Sequence, residues 1–186
     1  MIKFAHISAS NCVSNSNYLS SILPLYLEAF PRDERREWST INDIIEFFKL
    51  HSDKFNIIII IFDNQFAGFL SYWDFGTHIY IEHLAIAKQM RSRSLGSQLI
   101  RHAMTEICPN ILLEVEYPDS PQAIRRIDFY NRLGFYLHKD ITYIQPPYSP
   151  RQSPTPLMLM TCGNIRIDTP CDEIITSLKR IVYNYF

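Results

Sequence analysis

The sequence predicts one mixed α/β domain, a central mixed β-sheet of about six to seven strands flanked by helices and followed by a C-terminal helical extension. Three observations lead there. A chain of 186 residues, 47% hydrophobic and 13% aromatic, can bury one substantial core and leaves little length for a second. Three β-rich runs follow one another between residues 55 and 86, and apolar positions then switch to three- and four-residue spacing. From that point strand and helix signals alternate to the end of the chain. The expected domain spans residues 1–186, with its core over about 1–162 and the extension over about 163–186.

Ile22, Leu25, Tyr26 and Ala29 recur at helical spacing before Pro31 and predict an amphipathic helix over 18–30. Ile41, Ile44, Ile45 and Phe48 predict a second over 40–50. The runs 55–62 and 66–73 are separated by Asp63 and Asn64, residue types that tolerate the positive φ of a tight turn, so they predict a hairpin. A third strand over 79–86 continues the meander. Leu95, Leu99, Ile100, Ala103, Met104 and Ile107 line one side of a helix. A strand is expected over 110–116, then a helix whose start is signalled by Ser120 and Pro121 and whose end by Gly134. Two more strands, 135–144 and 156–162, flank a proline-rich surface loop over 145–154. Ile174, Ile175, Leu178, Ile181 and Val182 predict a terminal helix beginning at Asp168 or Pro170.

Eighteen basic against nineteen acidic residues leave a net charge of −1. No broad positive field exists for nucleic acid or an anionic membrane, so neither is expected as a partner and any anion site must be local. The longest strongly apolar run, residues 57–62, is far short of the ~20 residues that cross a bilayer. No apolar stretch of ~7–15 residues follows a basic start, so a cytoplasmic location is expected. Cys12, Cys108, Cys162 and Cys171 form no C-x-x-C pair, and reduced thiols are expected, with neither a disulfide nor a metal site.

Chemistry concentrates between residues 88 and 102, which carry Lys88, Arg91, Arg93 and Arg101 and no acidic residue. Ser92, Ser94, Gly96 and Ser97 lie where a strand has ended and a helix begins, so unpaired N–H groups and the positive end of the helix dipole converge with the basic side chains. That arrangement suits a phosphate, although the same composition also describes a solvated basic loop. The segment Gln89-Met90-Arg91-Ser92-Arg93-Ser94-Leu95-Gly96 resembles the acetyl-CoA loop of the GNAT N-acetyltransferases, Q/R-x-x-G-x-G/A, with serine at two glycine positions. Serine resists left-handed backbone by roughly 1–2 kcal/mol, so the loop either avoids positive φ there or is strained. Residues 123–135, AIRRIDFYNRLGF, resemble the family's A-x-R-R-I-x-F-Y-x-R-x-G-F helix more specifically. Residues 30–36 (FPRDERR) and 143–160 (YIQPPYSPRQSPTPLMLM) are similar to one subgroup of the family, so the resemblance runs from about residue 25 to about residue 161.

The resemblance implies a GNAT fold and transfer of an acetyl group from acetyl-CoA, as co-substrate, to a primary amine of a small molecule or a protein by direct attack in a ternary complex. It implies that Leu84, Ala85 and Ile86 offer a strand edge to the pantetheine arm, and that Arg91, Ser92, Arg93, Ser94, Leu95, Gly96 and Ser97 cradle the pyrophosphate. Tyr130 matches the tyrosine that protonates the departing thiolate, although a tyrosine sharing a helix face with Ala123 and Ile127 could equally be a core aromatic. Glu82, in the strand that supplies the acetyl-binding edge, is the first candidate base for the amine. Strand alternation sets Glu82, Leu84 and Ile86 on one face and His83 with Ala85 on the other, so His83 stays open as a base, as does Glu116. Asp33, Glu34, Glu114 and Glu116 point to a cationic acceptor, in a pocket shaped by the first helices and the 145–156 loop. A non-catalytic acetyl-CoA-binding module is the competing reading, and Tyr130 is the residue that argues against it. The aromatic end of the chain, residues 181–186, is expected to cover the sheet or to meet a second copy of the chain in a homodimer.

Overall fold

The computed structural model describes residues 1–185, and Phe186, part of the aromatic end considered above, lies outside them. The elements run β1 (Ile2–Ile7), α1 (Ser16–Ala29), α2 (Ile41–Leu50), β2 (Phe55–Phe62), β3 (Gln65–Asp74), β4 (Ile79–Ile86), α3 (Leu95–Glu106), β5 (Ile111–Val115), α4 (Pro121–Asn131), β6 (Tyr136–Gln145), β7 (Thr155–Cys162) and α5 (Glu173–Tyr183). Short 3-10 turns lie at Arg32–Glu34 and Lys88–Met90. The seven strands form one mixed sheet in the order β1-β2-β3-β4-β5-β7-β6, parallel only between β4 and β5.

Local chemistry sets most of the boundaries. Asp63 and Asn64 take φ of 49° and 60°, the left-handed pair that lets a two-residue turn follow the strands' twist. Thr40 accepts from the Asp43 N–H while the Asp43 carboxylate accepts from the Thr40 N–H, so α2 begins on a capping box. Ser120 caps α4 by accepting from Ala123 N–H at 3.1 Å, and Pro121 fills the first helical position. Asp172 caps α5 through Ile174 N–H at 2.9 Å, which is why this helix starts at Glu173 and not at the earlier Asp168 or Pro170. β1 is an addition to the predicted elements. It is an edge strand, antiparallel to β2 alone, and only Ile7 is fully buried, so no two-residue pattern marks it.

Both sides of the sheet are covered. Tyr26 of α1 meets His83 of β4 edge-on, with ring centroids 4.8 Å apart, whereas Ile86 approaches Gly96 of α3 and shares a hollow with Phe129 of α4. Helices on each face explain why β2, FNIIIIIF, is apolar at every position but Asn56 instead of alternating. Among the described residues no helix is long and apolar enough to cross a membrane.

Gly68 sets how closely β3 backs the edge of β4. A Cβ there would stand 2.4 Å from the Ala85 carbonyl oxygen and 2.7 Å from Ile86 Cδ1. Because the first of these is main chain, Gly68→Ala must push the strands apart, with an expected loss of about 1–3 kcal/mol. At this chain length that lowers Tm by several degrees in scanning calorimetry. An unchanged Tm would show that the strands can separate freely.

Candidate active site

β4 and β5 pair through Ile79↔Ile111, Tyr80↔Leu112 and Ile81↔Leu113, and no further. On the other edge of β4 the register with β3 steps from Tyr72↔Ile81 to Ser71↔His83, leaving Glu82 without a partner. This is a β-bulge, which bends its strand, and β4 leaves β5 at that residue. A cavity of about 270 Å³ opens between residues 81–86 of β4 and 113–116 at the end of β5. A second hollow, about 370 Å³, shares Leu84, Ile86, Arg91 and Tyr130 with the first. A third, about 240 Å³, shares Ile86, Arg91, Gly96 and Phe129 with the second and is walled by Ser92, Ser94 and Ser97. The three make one groove from the start of α3 to the gap in the sheet.

At the α3 end, Ser92 and Ser94 do take left-handed φ, 62° and 57°. No side chain caps the helix, and its first internal bond runs from Gln98 N–H to the Ser94 carbonyl at 3.1 Å. The N–H groups of Leu95, Gly96 and Ser97 therefore have no acceptor within the helix. Leu95 buries its side chain and offers only main chain. Arg91 folds back so that Nε donates to the Ile86 carbonyl at 3.1 Å, which holds its charge at the mouth of the gap. Arg93 departs from the expected cradle: its guanidinium lies 5.4 Å from the Phe62 ring, and it does not wall the third hollow.

At the gap, Leu84, Ala85 and Ile86 wall the first cavity. Tyr130, from α4, stands where the first two hollows meet, and burial pushes its hydroxyl up to about 12.

Glu82 and His83 depart from the base role considered for them. The bulge breaks strict alternation and sets both side chains on one face, Glu82 Oε2 lying 3.6 Å from His83 Nδ1. The Glu82 carboxylate has no exposed surface; it accepts from Arg36 Nη2 at 2.7 Å and from Trp73 Nε1 at 3.1 Å. Burial alone would raise its pKa, but Arg36, His83 and Trp73 outweigh burial and hold it at about 2. Such a group accepts protons poorly at neutral pH. His83 Nε2 lies 3.1 Å from the Glu34 carbonyl, to which it donates, so that nitrogen is engaged as well.

Arg36 gains a place in the site that its sequence context alone does not assign. Its guanidinium lies 4.2 Å from the Phe47 ring centroid, 4.7 Å from Tyr148 and 5.3 Å from Trp73, and Nη2 also donates to the Val182 carbonyl at 3.1 Å. Residue 36 belongs to the FPRDERR stretch, the signal that could have found it. The proline-rich loop closes over the same region, because Gln152 Nε2 donates to the carbonyls of Arg32 at 2.6 Å and Arg35 at 2.7 Å. Asp33 serves that contact: its carboxylate accepts from Ser153 N–H at 3.4 Å, and it does not wall the cavity.

The remaining carboxylates line the cavity in different states. Glu116 is ion-paired with Arg126 and leaves Oε2 buried without a partner. Glu34 has its pKa raised, first by burial and then by Glu116. Glu114, on β5, accepts from the hydroxyls of Tyr143 and Tyr183, the latter at 3.0 and 3.2 Å from its two oxygens. Burial nevertheless pushes Glu114 up to about 7. Among the described residues no group of three or more His, Cys, Asp or Glu side chains could hold a metal ion.

A family model described as "Acetyltransferase (GNAT) family" matches residues 19–135. The chain belongs to the GNAT acetyltransferase family. A solved structure assigned as a GNAT-family acetyltransferase from Bacteroides thetaiotaomicron is 33% identical, with 99% of each chain covered and a TM-score of 0.83. More distant GNAT folds include PaiA N-acetyltransferase from Thermoplasma acidophilum, in complex with coenzyme A, at 11% identity and TM-score 0.54 over 88% of this chain and 99% of that one. The yncA acetyltransferase of Salmonella typhimurium, with its cofactor acetyl-CoA, is 12% identical at TM-score 0.57 over 93% of this chain and 99% of that one. A search of curated proteins found no match. The gap between β4 and β5 and the uncapped start of α3 are thus features of a GNAT N-acetyltransferase.

Two measurements probe this geometry. Ser92→Gly and Ser94→Gly each remove a left-handed penalty of roughly 1–2 kcal/mol, against about 0.5–1 kcal/mol of extra backbone freedom in the unfolded chain. Each is expected to raise Tm by a degree or more, and a fall would contradict the strain. Glu82→Gln leaves Arg36 buried without its counter-charge and is expected to destabilise the fold by about 3–5 kcal/mol at pH 7. The folded carboxyl sits at about 2 against an ordinary value of 4.5, so the pair's contribution is present above about pH 4.5 and is lost as pH falls toward 2. In denaturant titrations the wild type and Glu82→Gln should therefore converge in acid; a constant difference would contradict the pairing.

Proposed function

We propose that this GNAT acetyltransferase moves an acetyl group from acetyl-CoA to a primary amine of a small, cationic acceptor by direct attack in a ternary complex. The observation that carries the reading is the single groove joining the uncapped α3 amides to a cavity where Tyr130 and Glu114 come in from different elements. The free N–H groups of Leu95, Gly96 and Ser97, with Arg91 beside them, suit the pyrophosphate. The edge formed by Leu84, Ala85 and Ile86 takes the pantetheine arm as an added strand and holds the thioester at the gap, where alignment of both reactants can supply roughly 7–11 kcal/mol of the barrier reduction.

Tyr130 donates its proton to the departing thiolate. At about 12 it stays protonated through the working pH range, and the burial that raises it also raises the basicity of a thiolate formed beside it. Glu114, at about 7, takes the proton of the incoming amine, replacing Glu82 in that role. Glu34 and Glu114 supply the negative field that favours a cationic acceptor, while Glu116 is largely neutralised by Arg126.

Thiol release with a panel of amines tests the assignment. Tyr130→Phe and Glu114→Gln should each keep the fold and the KM for acetyl-CoA while turnover falls by about 10²–10⁴. Unchanged turnover removes that residue from the mechanism. A melting shift on adding acetyl-CoA with no thiol release from any amine would overturn acetyl transfer to a small amine.

A further inference from the structure

We propose that the C-terminal helix is a working part of the acceptor site, with Tyr183 as a positioning residue that orients and charges Glu114. Residue 183 lies well beyond the stretch matched by the family model, which ends at residue 135. Its hydroxyl donates to both oxygens of Glu114, at 3.0 and 3.2 Å, and lies 2.9 Å from the Tyr80 hydroxyl. Because the single Tyr183 proton goes to the carboxylate, Tyr80 donates to Tyr183, and the chain of bonds strengthens the last one.

The helix end is held from several sides. Arg36 donates to the Val182 carbonyl while paired with Glu82, and the Tyr183 ring packs tilted against Tyr148 with centroids 4.9 Å apart. Asn184 ends the helix with φ of 52°, and Tyr185 N–H returns to the Lys179 carbonyl at 3.1 Å. A residue fixed this way can aim a hydroxyl at a carboxylate without losing further side-chain freedom. Part of the aromatic tail thus covers its own sheet, and that face of α5 is occupied by this chain.

The groups that face Glu114 come from four elements: Tyr80 and the Arg36-paired Glu82 on β4, Tyr143 on β6, Tyr148 in the proline-rich loop, and Tyr183 on α5. Lys179 on α5 lies over the Tyr143 ring at 5.3 Å instead of reaching the carboxylate. The hydroxyl bonds favour the charged carboxylate against burial and against Glu82. Removing one must raise the pH at which Glu114 ionises.

The inference rests on Glu114 being the base, and the experiment separates the two. In the free protein carrying ¹³C-labelled glutamate, the Glu114 carboxyl signal is identified by its loss in Glu114→Gln and followed through pH. Tyr183→Phe, which keeps the ring, should move its midpoint upward by about one unit, and Tyr80→Phe by less in the same direction. A midpoint unmoved in a folded Tyr183→Phe overturns the inference, whatever happens to activity. Should Tyr183→Phe fail to fold, 3-fluorotyrosine at position 183, a stronger donor of nearly the same shape, decides instead: a lowered midpoint supports the bond to Glu114, and an unmoved one overturns it. If the midpoint rises and the acid limb of kcat/KM for the amine rises with it, both readings stand. If the midpoint rises and the limb stays, Tyr183 positions Glu114 but Glu114 is not the base.

Discussion

Parallel pairing between β4 and β5 ends after Ile81 and Leu113, and the residue that follows explains why. Glu82 is the extra residue of a bulge, and a bulged strand bends away from its neighbour. Bending alone would leave two consecutive polar side chains, Glu82 and His83, on the same buried face. They persist there because each is bonded: Glu82 to Arg36 and Trp73, His83 to the Glu34 carbonyl. The ion pair therefore makes the bulge tolerable, and the bulge exposes the β4 edge. Glu82 has a fully buried side chain in a residue that is still partly exposed, so what meets the cavity there is main chain. A strand edge of this kind does not depend on which side chains it carries, which is why Leu84, Ala85 and Ile86 can be ordinary apolar residues.

Four glutamates surround one cavity, and their environments divide their roles. Glu82 has a guanidinium at 2.7 Å and is fixed as a carboxylate. Glu116 is held by Arg126. Glu34 and Glu114 form no ion pair among the described residues, and burial raises both. Identical side chains thus become a structural counter-ion, an anchor for an arginine, and two groups that hold their protons to higher pH than an ordinary glutamate. Arg36 decides the first of these states. Its position against Phe47 and Tyr148 uses a planar, permanently charged group that a lysine could not replace.

Much of the fold was legible because the signals were local. The Asp63-Asn64 turn, the Ser120-Pro121 start of α4 and the β4 boundaries each follow from residues within a few positions of the element. β1 was not legible, since an edge strand lacks the alternation that marks a half-buried one. Within the site, the expected positions of Tyr130 and the 84–86 edge needed only the motif and the strand. The base proposed above did not follow from the sequence, because alternation assumes a regular strand and the bulge at Glu82 cancels it. The partners of Arg36 and Tyr183 were not legible for a different reason: their bonds to Glu82 and Glu114 span 46 and 69 residues of chain, so a local motif can single out either residue without naming what it meets. The FPRDERR and YIQPPYSPRQ stretches were visible as motifs, and the structure supplies their meaning: Gln152 and Asp33 bind the two together.

On the proposed mechanism, the charge in that cavity faces two opposed demands. An alkyl amine with a pKa near 10 arrives as an ammonium, and a base at about 7 would remove its proton at a disadvantage of about 4 kcal/mol in water. Added carboxylates draw the cation in, yet they also hold its proton more firmly; desolvation works the other way and favours the neutral amine. A site lined by four ionised glutamates would bind well and react poorly. Arg36 and Arg126 cancel two of them, and burial keeps Glu114 partly protonated at neutral pH. For the proposed acceptor, what remains would be enough field to select a cation and little enough to let it become a nucleophile. The arginines beside the cavity, more than its acids, set how reactive the acceptor can be.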